Sequence, residues 1–166
     1  MDSTGWLIIL QALSTLGIVA TYFVFWYQLV AMRGMLEVAR ETSRHENLVT
    51  LINLLQTPDA MHARLTTIKL GRAGRPHDQW TDDEVVSVER VCNAFNLTAI
   101  LIRHQVVPEL PILDQWGDSI LKCWDAVEGF VAHVRPLRGH DHWTSFEWLA
   151  GRARTQREAI LPADVT

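Results

Sequence analysis

Charge is missing from the start of this chain: between Asp2 and Arg33 there is no Asp, Glu, Lys, Arg or His. Lysine is scarce throughout, with only Lys69 and Lys122 against thirteen arginines. The formal net charge of −4 lacks the positive excess of a general nucleic-acid binder. Cysteine is limited to Cys92 and Cys123. Both fall at apolar positions of expected helices, which reads as two reduced core thiols rather than a disulfide framework. No Cys/His spacing suits a zinc site, so no metal and no cofactor are expected. Alternation of apolar and polar residues is also absent, which excludes half-buried strands. Glycine-rich phosphate loops, Gly-x-Ser-x-Gly turns and His-Glu-x-x-His pairs do not occur.

What the charge-free start does hold is apolar. Residues 5–30 are mostly Leu, Ile, Val, Ala and aromatic. About 20 such residues, rising ~1.5 Å each, span a hydrocarbon layer of about 30 Å. Trp6 stands at one end and Trp26 and Tyr27 at the other, as in an interfacial belt. Arg33, Arg40 and Arg44 follow the stretch, while only Asp2 precedes it. Positive charge stays inside, so the expected topology is a single span of the inner membrane, N-terminus outside and C-terminal domain cytoplasmic. A cleaved signal peptide would have a basic start, a shorter apolar run and a small-x-small cleavage site. A buried core helix is the other alternative, disfavoured by the length and the belts.

Within the span Gln11, Ser14, Ile18, Thr21, Phe25 and Gln28 fall on one helical seam. Polar groups facing lipid are costly, so this seam is expected to meet protein or water, in a homo-oligomer embedded in membrane lipid. Gly17 and Thr21 form a small-xxx-small pair that permits close approach. Ser14 and Thr21 can instead bond back to their own helix carbonyls, which leaves the two glutamines unexplained.

The fold expected is all-α: one N-terminal transmembrane helix continuing into a cytoplasmic bundle of about five helices. The divisions are an anchor at 1–33, a helical domain at 34–158 and a tail at 159–166. The first helix covers about 5–56, ended by Thr57-Pro58. Its second half offers Leu48, Ile52 and Leu55 for contact between copies. Thr57 caps a second helix reaching about residue 70, with a loop at 71–79. Thr81-Asp82-Asp83-Glu84 is a capping box opening a third helix with Val85, Val88, Cys92, Phe95, Ala99 and Ile102 inward. A turn or short helical piece at 107–113 precedes a fourth helix at about 116–134, broken by Pro136 and Gly139. A last helix at about 142–158 buries Trp143, Phe146 and Leu149.

One short pattern carries possible chemistry: Arg, four residues, His. Arg135 and His140 fit it at the junction of the last two helices, with Arg to hold a phosphate and His to act as acid or base. Thirteen arginines and seven histidines in 166 residues predict about half an occurrence by chance. The chain has three, the others being Arg40 with His45 and Arg72 with His77. Basic residues crowd this junction, and Arg138, His142, Arg152 and Arg154 form a candidate anion site for RNA or a nucleotide messenger. The plainer reading pairs Arg135 with Glu147 and solvates the rest; a buried pair of that kind costs about 3 kcal/mol to break.

Val91-Cys92-Asn93-Ala94-Phe95-Asn96, residues 100–107, Trp124, His133-Val134-Arg135 and Phe146-Glu147-Trp148-Leu149 together resemble an uncharacterised bacterial family. Its members are small single-span membrane proteins with a cytoplasmic helical domain. The likeness covers about residues 45–155, and the Phe-Glu-Trp-Leu stretch is its most specific part. In layout the chain is also distantly similar to the HEPN-like membrane-pore accessory protein of type VI-B CRISPR systems, whose implied motif maps to Arg135 and His140. These resemblances imply a self-associating membrane protein, as a pore-forming or membrane-perturbing effector in antiviral defence or stress. A membrane-tethered HEPN-like ribonuclease and a non-catalytic scaffold or sensor are the alternatives.

Overall fold

The computed structural model describes residues 3–160, with side chains described from Trp6 onward except those of 7–10, 12 and 36–38. Among the described residues there are five helices and no strand: α1 (Ser3–Leu55), α2 (Pro58–Ala73), α3 (Asp82–Arg103), α4 (Glu109–Arg138) and α5 (Thr144–Ile160). The chain is all-α. It divides into two compact units, Met1–Ser43 and Arg44–Thr166.

The first unit is helix throughout its described residues, from Ser3 onward. Every residue from Leu13 to Met35 is exposed, Leu, Phe and Trp included.

The second unit holds the core. It takes in the last three turns of α1, which bury Leu48, Leu51 and Leu55 in the same cluster as the other helices. This corrects the expectation that Leu48 and Leu55 serve contacts between copies: they are 8 % and 1 % exposed within one chain. α2 and α5 each pack on both α3 and α4. The α3 stripe Val88, Cys92, Phe95, Ala99 and Ile102 is buried as the spacing predicts, and only Val85 is partly open. Ile120, Trp124, Val127, Val131 and Val134 of α4 and Phe146 and Leu149 of α5 complete the interior. Cys92 and Cys123 are free and fully buried. Burial pushes the Cys123 thiol up to about 12 and the Cys92 thiol further still, so both stay protonated.

The local signals act as their chemistry demands. Thr57 accepts from the Ala60 amide at 3.3 Å, with Pro58 opening α2. Thr81 and Glu84 form the reciprocal capping box at 3.3 and 2.9 Å. The departures lie at helix ends. α2 continues through Gly71 to Ala73, three residues past the expected stop. Gly71 is there for contact, not for a turn: a Cβ on it would come within 2.6 Å of the Ala126 Cβ on α4. Gly74, at φ 60, ends the helix instead. α4 is 30 residues long and exceeds the expected 116–134 at both ends. Pro111 falls in its first turn, where no backbone N–H has a helical partner to lose. Pro136 falls in its last turn and costs one bond without stopping the helix, which ends at Gly139, φ 117. α5 begins at Thr144 rather than at His142.

Candidate functional site

Two places carry the residues singled out by chemistry: the seam of α1 and the junction between α4 and α5. On α1, Gln11, Ser14, Ile18, Thr21, Phe25 and Gln28 are all exposed. The Thr21 hydroxyl donates to the Gly17 carbonyl at 2.8 Å and is satisfied within its own helix. The Gln11 and Gln28 side-chain amides have no hydrogen-bond partner among the described residues.

At the second place, Trp143 precedes α5 in the left-handed region at φ 58, a costly conformation for a bulky side chain. Its neighbours hold it there. The indole Nε1 donates to Asn93 Oδ1 at 2.8 Å, and the His142 ring lies against it, tilted by 48°, at 4.0 Å between centroids. Arg135 Nε donates to the His142 carbonyl at 3.1 Å. Asn96 Oδ1 accepts the Phe146 amide at 3.2 Å. That amide is one of the orphan donors of the first turn of α5, so α3 supplies the cap that Trp143 cannot. Asn93 and Asn96 stood in the sequence only as part of the family resemblance, with no structural role assigned. The available signal was two uncharged amides three apart beside the apolar stripe of α3, the spacing that puts both on one side of a helix.

Four arginines near the junction are paired with carboxylates on other helices. Arg135 pairs with Glu147 at 2.6 Å, Arg138 with Glu89 at 2.7 Å and Arg154 with Asp125 at 3.4 Å. Arg152 grips Glu109 through two nitrogens, at 2.6 and 3.2 Å. His140, two residues beyond the end of α4, is exposed and has no ion pair or hydrogen bond among the described residues. The structure thus brings Arg135 to Glu147 and to the His142 carbonyl. It spreads Arg138, Arg152 and Arg154 over three different carboxylates. No group of three or more His, Cys, Asp or Glu that could hold a metal occurs among the described residues.

By length and composition, two helices could cross a membrane: residues Leu13–Leu55 and α3. None of the apolar window of the first is buried, against 39 % of the second, whose apolar stripe lines the core.

An all-α domain carrying an unburied apolar helix is the class of protein these features define. Residues 13–153 match the DUF4760 family, a domain of unknown function, and the chain belongs to that family. The matched range takes in most of the apolar stretch of α1 as well as α2 to α4 and the first half of α5. No curated protein and no solved structure matches the chain.

Proposed function

We propose that the chain is a membrane-anchored protein that self-associates through its N-terminal helix. The observation that carries this reading is the run from Leu13 to Met32, which holds no charged residue and in which every residue is exposed. An apolar surface that large is not left to water: soluble proteins rarely expose contiguous patches beyond a few hundred Å². Twenty uncharged helical residues match the ~30 Å hydrocarbon layer, and Trp26 and Tyr27 fit its polar edge. Arg33, Arg40 and Arg44 support an N-out single pass with the Arg44–Thr166 unit in the cytoplasm. The family match running through the apolar stretch favours an integral anchor over a removable leader.

Self-association rests on Gln11 and Gln28. Both are exposed, neither is satisfied by its own helix, and amides bonded between helices in lipid contribute about 0.6–2 kcal/mol each. The seam that holds them also holds Ser14, Ile18, Thr21 and Phe25, with Gly17 allowing close approach. A ring of such seams would give the pore or membrane-perturbing activity of a defence or stress effector. The ribonuclease alternative ranks lower, because the Arg135 guanidinium is already engaged by Glu147 and the His142 carbonyl.

The test is topology and mass together. Carbonate-washed membranes should retain the chain, a C-terminal reporter should be active only in the cytoplasm, and the detergent particle should be a multimer. Gln11→Leu with Gln28→Leu should lower the particle mass if the seam is glue, or keep the mass and abolish conductance if it lines a water path. A soluble chain would overturn the anchor, and a monomer would overturn the assembly.

A further inference from the structure

An open groove of about 510 Å³ lies wholly within the Arg44–Thr166 unit. Arg44, Arg103, Gln105, Pro108, Glu109 and Trp148 are among its walls. Its volume is in the ordinary range for small-ligand sites, about 300–1,000 Å³. Six of the arginines engage carboxylates elsewhere. Arg44 and Arg103 do not: neither has a carboxylate within ion-pair distance among the described residues.

Both guanidiniums are nevertheless held. Arg44 Nε donates to the Gln105 carbonyl at 3.1 Å. Gln105 closes α3 in a Schellman turn, with its amide to the Ile102 carbonyl and the Val106 amide to the Leu101 carbonyl, both at 2.9 Å. It does so at φ 57, where glycine is the usual residue. Arg103 lies 5.8 Å over the Trp148 ring and reaches Ser145 Oγ at 3.4 Å. In each case one nitrogen is anchored and the remaining donors of the fork have no hydrogen-bond partner among the described residues. The one carboxylate on the wall, Glu109, is taken by both nitrogens of Arg152 and does not neutralise the pair.

We propose that this groove binds a phosphate-bearing anion between Arg44 and Arg103. Two guanidiniums from separate helices, each oriented and each with unused donors, suit a tetrahedral anion with several oxygens, which can accept from both forks at once. The Trp148 face fixes the Arg103 plane and closes one side of the site. The anion is either a phospholipid headgroup or a free phosphate compound; the guanidiniums read the same oxygens in both. The site does not depend on whether the N-terminal helix crosses a bilayer, and a soluble chain could still bind a free phosphate compound there.

The experiment uses the full chain in detergent and in nanodiscs. Inorganic pyrophosphate, followed by calorimetry and thermal melting, probes the free source; nanodiscs rich in phosphatidylglycerol against phosphatidylcholine alone probe the lipid source. Expected is a higher melting midpoint of the wild type with at least one of these. Arg44→Gln with Arg103→Gln should weaken pyrophosphate binding at least tenfold or erase the lipid-dependent shift, while the single charge loss Arg138→Gln should leave either intact. Should the glutamine pair not fold, Arg44→Lys with Arg103→Lys keeps the charge and loses the fork, and binding should fall several-fold. Absence of any shift in the wild type, or a shift unchanged in the glutamine or lysine pair, overturns the proposal.

Discussion

Phe25 is 60 % exposed and Phe146 is 0 % exposed, yet both stand on helices rich in apolar residues. The difference lies in what surrounds each ring. Phe146 has ring partners on two other helices, Phe95 at 5.3 Å and Trp124 at 5.1 Å between centroids. The helix around Phe25 shows apolar residues all round, with neighbours such as Val24 and Trp26 equally outward; its only polar seam is uncharged, and it carries no charged face. A helix apolar all round is either deep in a protein or in lipid, whereas a one-sided helix belongs at the surface of a bundle. In this chain the periodicity of apolar residues marks the bundle, and the absence of periodicity marks the N-terminal helix.

That contrast can be broken from either side. The largest effect expected is for Phe146→Ala, which removes a ring with no exposure and should cost about 3–5 kcal/mol of domain stability in denaturant melts. Phe25→Ala in the same assay should leave the unfolding of the bundle unchanged. Next is Val19→Arg, which puts a charge at mid-span; it should disfavour insertion by about 2.5–3.5 kcal/mol and shift the chain into the soluble or aggregated fraction. A Val19→Arg chain that stays as firmly in carbonate-washed membranes as the wild type would remove the lipid side of the comparison.

A smaller effect belongs to the Arg135–Glu147 pair. Were it buried, breaking it would cost about 3 kcal/mol. Its side chains are 23 % and 50 % exposed, so Arg135→Ala should cost about 1 kcal/mol, much of it from the lost bond to the His142 carbonyl. A double-mutant cycle with Glu147→Ala should then show coupling of only a few tenths of a kcal/mol. The smallest effect is a pH limb. The Thr81 backbone bond, aided by Arg75, holds the Glu84 carboxyl below its ordinary range. A carboxylate lowered on folding contributes stability that is complete above the unfolded pKa, about 4.3, and is lost as pH falls through the folded value. Acid melting curves of Glu84→Gln should therefore converge on those of the wild type below that range and fall beneath them above it.

Much of the fold was legible because it is written locally. The Thr57 and Thr81 caps, and the stripes of α3 and α4, need only neighbours within one or two turns, and they stand where the spacing put them. The misjudged boundaries depend on distant contacts or on position in a turn. Gly71 reads as a helix breaker until Ala126 is brought against it. Pro111 and Pro136 read as stops, yet Pro111 falls in the first turn, where no bond is lost, and Pro136 costs one bond that the last turn of a 30-residue helix absorbs. The site was less legible for the same reason. Arg152 and Arg154 stand beside Arg135 and Arg138 in sequence as one basic cluster, but their partners Glu109 and Asp125 lie 43 and 29 residues away. Arg44 and Arg103 are far apart in sequence and gave no joint signal until the groove placed them together.

The cap that Asn96 provides for α5 has a consequence for the order in which the domain assembles. The bond to the Phe146 amide spans 50 residues, as does that from Trp143 to Asn93. A helix opened by its own Thr or Asp can flicker into existence alone, as the capping box allows for α3. The start of α5 has local turn bonds, from Thr144 to the Asp141 carbonyl, but its Phe146 amide is capped only from α3. α5 is thus expected to order after α3 rather than before it. Slow hydrogen exchange at the Phe146 amide, appearing after that of the α3 core during refolding, would be the clock that records this order.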